Sequence, residues 1–142
     1  MTEVSFHFNA PEKTNYACRL LRKAVASGAR VVVTADEQVL HRLDVALWTF
    51  APQEFVAHCM AQADAALVDA SPVLLTGSPV SAPHHEVLVN LGETVPDGFE
   101  RFSRLIEVVG LQDADRAAAR LRWRHYADHG YALVRHDLAH QG

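Results

Sequence analysis

Along the chain the apolar positions switch repeatedly between a two-residue and a 3.6-residue period, the signature of strands alternating with helices. Val4-Ser-Phe-His-Phe8 alternates strictly and predicts a strand with Val4, Phe6 and Phe8 on one face. Pro11 sits where a helix can begin, because its missing N–H costs nothing in a first turn. Ala17, Leu20, Leu21, Ala24 and Val25 carry the helical period, and Gly28 supplies the left-handed stop. The β-branched run Arg30-Val-Val-Val-Thr34 follows as a buried strand. Thr34-Ala-Asp-Glu37 reads as a capping box that opens a helix with Leu40, Leu43 and Leu47 on one face, ending near Trp48. Pro52 breaks the pattern, and an alanine-rich stretch from Phe55 to Asp69 predicts a further, weakly determined helix.

The second half continues the alternation. Pro72–Thr76 and Glu86–Asn90 read as strands around a Gly/Ser/Pro-rich loop, Gly77 to Pro83. Asp97–Arg104 reads as a short helix, Leu105–Val109 as a strand and Asp113–His129 as a last helix closed by Gly130. Tyr131–Val134 follows as an edge strand. Together these predict one α/β domain over residues 1–142, a mostly parallel sheet flanked by helices in a Rossmann-like arrangement. The nucleotide fingerprint of that class is missing. The first strand is followed by Asn9-Ala-Pro11 in place of Gly-x-Gly-x-x-Gly, and no Gly-Lys-Ser/Thr loop occurs.

Composition narrows the classes. The 142 residues are 49% hydrophobic and 21% charged, ordinary for a globular domain. No apolar run approaches the roughly 20 residues of a membrane span. Met1-Thr-Glu-Val lacks the basic start of a signal peptide, and only two cysteines are present, so a cytoplasmic chain without membrane contact is expected. The net charge of −4 argues against gripping nucleic acid by bulk charge. That average conceals a division: residues 1–100 hold six Lys/Arg and twelve Asp/Glu, residues 101–142 seven and five.

Catalytic signals are sparse. The adjacent His84-His85 and the pair His58-Cys59 are poorly spaced to converge on one ion. His125 and His129 have a helical ligand spacing but no intervening zincin glutamate, so neither metal nor cofactor is assigned. Cys18 reads as a small buried hydrophobe, and no serine has a nucleophile-elbow context.

Two clusters remain. At about 100° per residue, Arg116, Arg120, Trp123 and Arg124 share an arc of about 100° on the last helix. Ala114, Ala118, Leu121 and His125 then form the expected core stripe opposite. Guanidinium forks around an indole suit an acidic peptide or its terminal carboxylate. The same spacing also permits Ala119, Trp123 and Tyr126 to be the buried face with the arginines at its rim, or a stacking platform for nucleic acid; spacing leaves these open. The second cluster, Trp48-Thr-Phe-Ala-Pro-Gln-Glu-Phe55, holds three aromatics that are either a docking patch or a loop folded onto the core.

Arg42-Leu-Asp-Val-Ala-Leu-Trp48 with Phe55-Val-Ala-His58 resembles the signature of the chi subunit of bacterial DNA polymerase III. Val4–Phe8, Gly28-Ala-Arg-Val31, Glu107-Val-Val109, Arg120-Leu-Arg-Trp-Arg124 and Gly130-Tyr131 extend the match over nearly the whole chain. The resemblance implies a non-catalytic accessory subunit of the replicase. Such a subunit binds the acidic C-terminal tail of single-stranded-DNA-binding protein, which ends in a phenylalanine carboxylate, and pairs with the psi subunit of the clamp-loader assembly. It would then reach DNA only indirectly. The tail-binding positions it implies are Val109, Arg116, Arg120, Trp123 and Arg124, with a tryptophan where enteric members carry a tyrosine and arginines for two lysines. The psi-facing positions are Trp48 and Phe55, with Met60 nearby. The Gly77–Pro83 loop departs from the enteric form, which leaves a substitute partner as an alternative at that second surface. The competing classes are a small nucleotide-dependent enzyme and a direct single-stranded-DNA binder.

Overall fold

A computed structural model describes residues 1–49 and 56–140. Strand β1 (Glu3–Ala10) leads through helix α1 (Lys13–Ala26) to β2 (Val31–Thr34), and α2 (Glu37–Thr49) leads to β3 (His58–Met60). Helix α3 (Ala65–Ala70) precedes β4 (Val73–Leu75) and β5 (Val87–Asn90); β6 (Arg104–Gly110), α4 (Asp113–Asp128) and β7 (Leu133–Asp137) complete the chain. The strands form one seven-stranded sheet in the order β3-β4-β2-β5-β6-β1-β7, and every described pairing is parallel. The expected α/β class therefore holds, with a wholly parallel sheet among the described strands.

Each face of the sheet carries its own apolar layer. On one, Ala17, Cys18 and Leu21 of α1 and Leu40, Leu43 and Leu47 of α2 close over Val31, Val33, Val73 and Val89. On the other, Ala119 and Tyr126 of α4 close over Val4, Phe6, Leu105 and Val109, with Phe8 partly buried against them. The four buried residues of β2 and the four of β5 explain the β-branched runs, since central parallel strands are covered on both sides. Gly28 (φ +88°) and Gly130 (φ +80°) terminate α1 and α4 in the left-handed region that a side chain disfavours.

Several local expectations are corrected. Pro11 lies outside α1; the cap is Glu12, whose carboxylate accepts the Thr14 N–H at 3.0 Å. Thr34 does not cap α2, because its backbone is held in the sheet beside Asn90 and its carbonyl accepts from Leu91. Asp36 caps instead, its Oδ1 accepting the Val39 N–H at 2.9 Å. The helix expected from Phe55 to Asp69 is replaced by β3 and the six-residue α3, on which no residue is fully buried. An alanine-rich stretch offers little apolar area to hold a longer helix, while β3 gains a full edge pairing with β4. The short helix at Asp97–Arg104 contracts to a 3₁₀ turn, Phe99–Arg101. The edge strand starts two residues later than the pattern suggested and runs to Asp137.

The largest correction concerns α4. Leu121 is 68% exposed and Ala114 is exposed, so the expected Ala114/Ala118/Leu121/His125 stripe is not the core face. Ala119, Arg122 and Tyr126 are buried instead. The physical reason is Glu107, fully buried on β6 beneath the helix. It turns an arginine inward, and the apolar stripe cannot compete with an uncompensated buried carboxylate.

A titratable group in β1 makes the fold sensitive to pH. His7 accepts or donates at Tyr16 Oη through Nδ1, and its ring lies 4.6 Å from that of His136 across the β1–β7 pairing. Burial first, then the charges of His136 and Arg104, push its pKa down to about 4. The fold thus favours neutral His7. Its contribution to stability is complete above the unfolded value of about 6.5 and is lost as pH falls toward 4. Denaturant midpoints measured across pH 4–7 are expected to fall less steeply in His7→Gln than in wild type; parallel curves would refute the assignment.

Candidate functional site: a basic cleft beside the sheet's switch point

Adjacent strands β1 and β6 send the chain in opposite directions: β1 through α1 toward β2, β6 through α4 past β1 to β7. Such a divergence opens a crevice at the carboxyl ends of the strands, where parallel α/β sheets place their ligands. Here the crevice is a cleft of about 650 Å³. Its floor is Phe6, Phe8 and Asn9 of β1 with Val109 and Gly110 of β6; its walls are Arg116, Ala119, Arg120, Trp123 and Arg124 of α4 and Arg135 of β7. All five residues expected of a tail-binding face, Val109, Arg116, Arg120, Trp123 and Arg124, therefore line one cavity.

A buried polar cluster fixes α4 above this floor. Glu107 Oε1 accepts from Arg122 Nε at 3.0 Å and from Asn90 Nδ2 at 2.9 Å, and Oε2 accepts from the Tyr126 hydroxyl. Arg122 also donates to the Glu93 carbonyl at 2.9 Å. Burial raises the Glu107 pKa, opposed by the Arg122 charge and by hydrogen bonds from Tyr126, Asn90 and Arg122. The Tyr126 hydroxyl is pushed up by burial and by the neighbouring carboxylate. With positions 122 and 126 turned inward, the helical period carries Arg116, Arg120 and Trp123 round to the cleft.

The cations of the cleft fall into two groups. Arg116 is oriented from below: it donates to Asn9 Oδ1 at 2.8 Å, and Asn9 Nδ2 donates to Asp137 at 2.8 Å. Asn9 holds a left-handed backbone (φ +64°) where the β1–β6 register shifts, and this turns its amide toward α4. Arg120, Arg124 and Arg135 make no hydrogen bond or ion pair with any described residue. Between them lies apolar surface. Trp123 is half-buried, packing edge-on against Phe6 at 5.1 Å, and the Arg135 guanidinium lies 5.0 Å from the Phe8 ring centre and 5.9 Å from that of Trp123. Trp123 is thus at once part of the core margin and part of the cleft wall.

Sequence reasoning missed Arg135, Phe8, Asn9 and the inward Arg122. Ending the edge strand at Val134 excluded Arg135, although its alternation with Leu133 was the signal available. Arg122 gives no signal of its own, since nothing about a lone arginine between two others marks it as buried.

The second cluster lies elsewhere. Trp48, near the end of α2, is 59% exposed, with its ring 5.6 Å from that of His58 on β3. Met60 is on the same strand, partly buried against the core, and Phe55 lies outside the described residues. Strand β3 is the edge opposite β7, five strand spacings or about 24 Å from β1. Of the histidines considered as ligands, His58 bonds to Asp44 at 2.9 Å and to the Val56 carbonyl, and His129 bonds to the His125 carbonyl, whereas both ring nitrogens of His84 and Nε2 of His85 are buried without a hydrogen-bond partner among the described residues. His84 is buried and His85 half-buried at the start of β5, and Cys18 is buried in the α1 layer. Among the described residues no helix is long and apolar enough to cross a membrane.

The family model for the DNA polymerase III chi subunit, HolC, matches residues 1–134. The chain belongs to the chi subunit family. Three chi subunits illustrate its range. That of Pseudomonas aeruginosa is 35% identical over 97% of this chain and 98% of its own length. That of Escherichia coli K12 is 26% identical over 82% of this chain and 79% of its own, and that of Haemophilus influenzae is 25% identical over 82% and 81%. Membership of the chi family makes the protein an accessory component of DNA replication, consistent with a non-catalytic subunit.

Proposed function

We propose that this chi-family protein is an adaptor that grips the acidic C-terminal tail of single-stranded-DNA-binding protein in the α4 cleft and links it to the replicase at the opposite sheet edge. The carrying observation is the state of the cleft's cations. Arg120, Arg124 and Arg135 hold no acceptor among the described residues, around an apolar floor of Phe6, Phe8 and Val109 with Trp123 in the wall. Such a site suits a ligand that brings both carboxylates and a ring. The exposed Trp48, together with Met60 of β3 and with Phe55, which lies outside the described residues, takes psi or a substitute partner. Separation of the two surfaces by most of the sheet's width lets both be occupied at once.

A nucleotide-dependent enzyme is disfavoured by charge. Phosphates at a switch point rest on helix N-termini, but Glu12 caps α1 and Asp113 and Asp115 stand in the first turn of α4. Asp115 already accepts from the Gly110 N–H at 2.6 Å and pairs with Lys13 at 3.3 Å. Carboxylates occupy the positions a phosphate would need.

Titration of an acidic tail peptide against wild type and Arg120→Ala tests the assignment. One charge-assisted contact is worth about 1.5–3 kcal/mol when shielded and less when exposed, so a loss of roughly tenfold is expected. Equal affinity for the two proteins would remove Arg120 from the site.

A further inference from the structure

Four arginines line the cleft, and they are not equivalent. Arg116 already directs part of its guanidinium to Asn9. Arg120 and Arg124, on the outer side of α4, make no cation–π contact among the described residues. Arg135 alone stands beside aromatic rings, and it arrives from a different element, the edge strand β7. It pairs in register with Phe6 of β1, so its side chain leaves the sheet on the face that α4 covers, over the cleft floor.

Resting on the peptide-binding reading above, we propose that Arg135 is the specificity-determining residue of the cleft, selecting an aromatic side chain next to a free carboxylate. A guanidinium donates in its plane and stacks through its faces, so one arginine can hold a carboxylate edge-on and a ring face-on together. The Phe8 contact, at 5.0 Å, fixes the side chain over the floor. The Trp123 contact, at 5.9 Å, lies at the roughly 6 Å limit of such attraction and is the one a ligand ring can replace. No carboxylate of the described residues pairs with Arg135, so its in-plane donors are open to the ligand. Arg120 and Arg124, by contrast, supply charge without reading the ring.

The test is a double-mutant cycle on the full chain. Two acidic peptides differing only in the last residue, Phe or Ala, each with a free α-carboxylate, are titrated against wild type, Arg135→Gln and Arg135→Lys. Arg135→Gln is expected to weaken the Phe-ended peptide about tenfold and the Ala-ended one less than twofold. Arg135→Lys keeps the charge but loses the planar face, and is expected to weaken the Phe-ended peptide nearly as much as Arg135→Gln. Equal weakening of both peptides, no weakening of either, or full affinity in Arg135→Lys overturns the proposal. Wild-type protein that binds neither peptide overturns the underlying reading as well. Wild-type binding that Arg120→Ala reduces and Arg135→Gln leaves unchanged overturns the role of Arg135 alone.

Discussion

Glu107→Ala is expected to lower the stability of the fold by about 3–5 kcal/mol, the range for removing one partner of a buried ion pair. The substitution leaves the Arg122 guanidinium, 2% exposed, without its counterion, and strips acceptors from Asn90 and the Tyr126 hydroxyl. Arg122→Met is expected to cost a similar amount, since it leaves Glu107 charged or forces it to take up a proton in an apolar layer. The informative variant is the double one, Glu107→Leu with Arg122→Met. Removing both charges together is expected to recover most of the loss, because a buried pair is expensive to desolvate. Arg122 Nη2 has no hydrogen-bond partner among the described residues, which lowers the net value of the intact pair further. Denaturant midpoints of wild type, Glu107→Leu, Arg122→Met and the double variant close the cycle and give the coupling directly. Additive losses would mean that the two residues act independently, contrary to the geometry.

This cluster also marks where sequence was legible and where it was not. Val31–Thr34, Leu40/Leu43/Leu47 and the Gly28 stop were readable because each is settled within a few residues by period or backbone conformation. The orientation of α4 was not, because it depends on Glu107, six positions before the helix begins. A helical wheel weighs apolar against polar positions. It has no means of knowing that a carboxylate waits under the helix and will draw Arg122 in while leaving Leu121 in solvent. The cleft side of α4 was nonetheless identified, since Arg116, Arg120, Trp123 and Arg124 share a face whichever side of the helix is buried. β3 escaped for the converse reason. Three residues pairing at a sheet edge carry too little local pattern to be told from the alanine-rich stretch around them.

The charge pattern of the chain follows from the same architecture. Residues 1–100 supply the acidic body, and the four cleft arginines all come from the last quarter, on α4 and the adjoining β7. An acidic chain with a basic cleft disfavours bulk attraction to nucleic acid, and on the proposed function the cleft is where an acidic segment is drawn in. The Asp36 and Glu12 caps and the first-turn acids of α4 reinforce that contrast.

Arg120→Glu combined with Arg124→Glu is expected to weaken binding of the acidic tail peptide at least about 100-fold, or about 2.7 kcal/mol. Each substitution removes a donor fork and places a carboxylate where the ligand's own carboxylates must approach. Stability is expected to stay within about 0.5 kcal/mol of wild type, because neither side chain bonds to a described residue and both are exposed. That separates the pair from Trp123, whose truncation also opens the layer under Phe6 and so mixes binding with folding. Wild-type affinity is expected to fall as ionic strength rises, whereas the reversed variant should show a flat or inverted dependence. The same titrations with naked single-stranded DNA decide between adaptor and direct binder. Tighter binding of wild type to the oligonucleotide than to the peptide would favour the DNA-binding reading, since basic and aromatic groups in one cleft are also what a stacking site uses. A reversed variant that keeps its affinity for the peptide would show that the ligand enters elsewhere, leaving the α4 cleft without the role assigned to it.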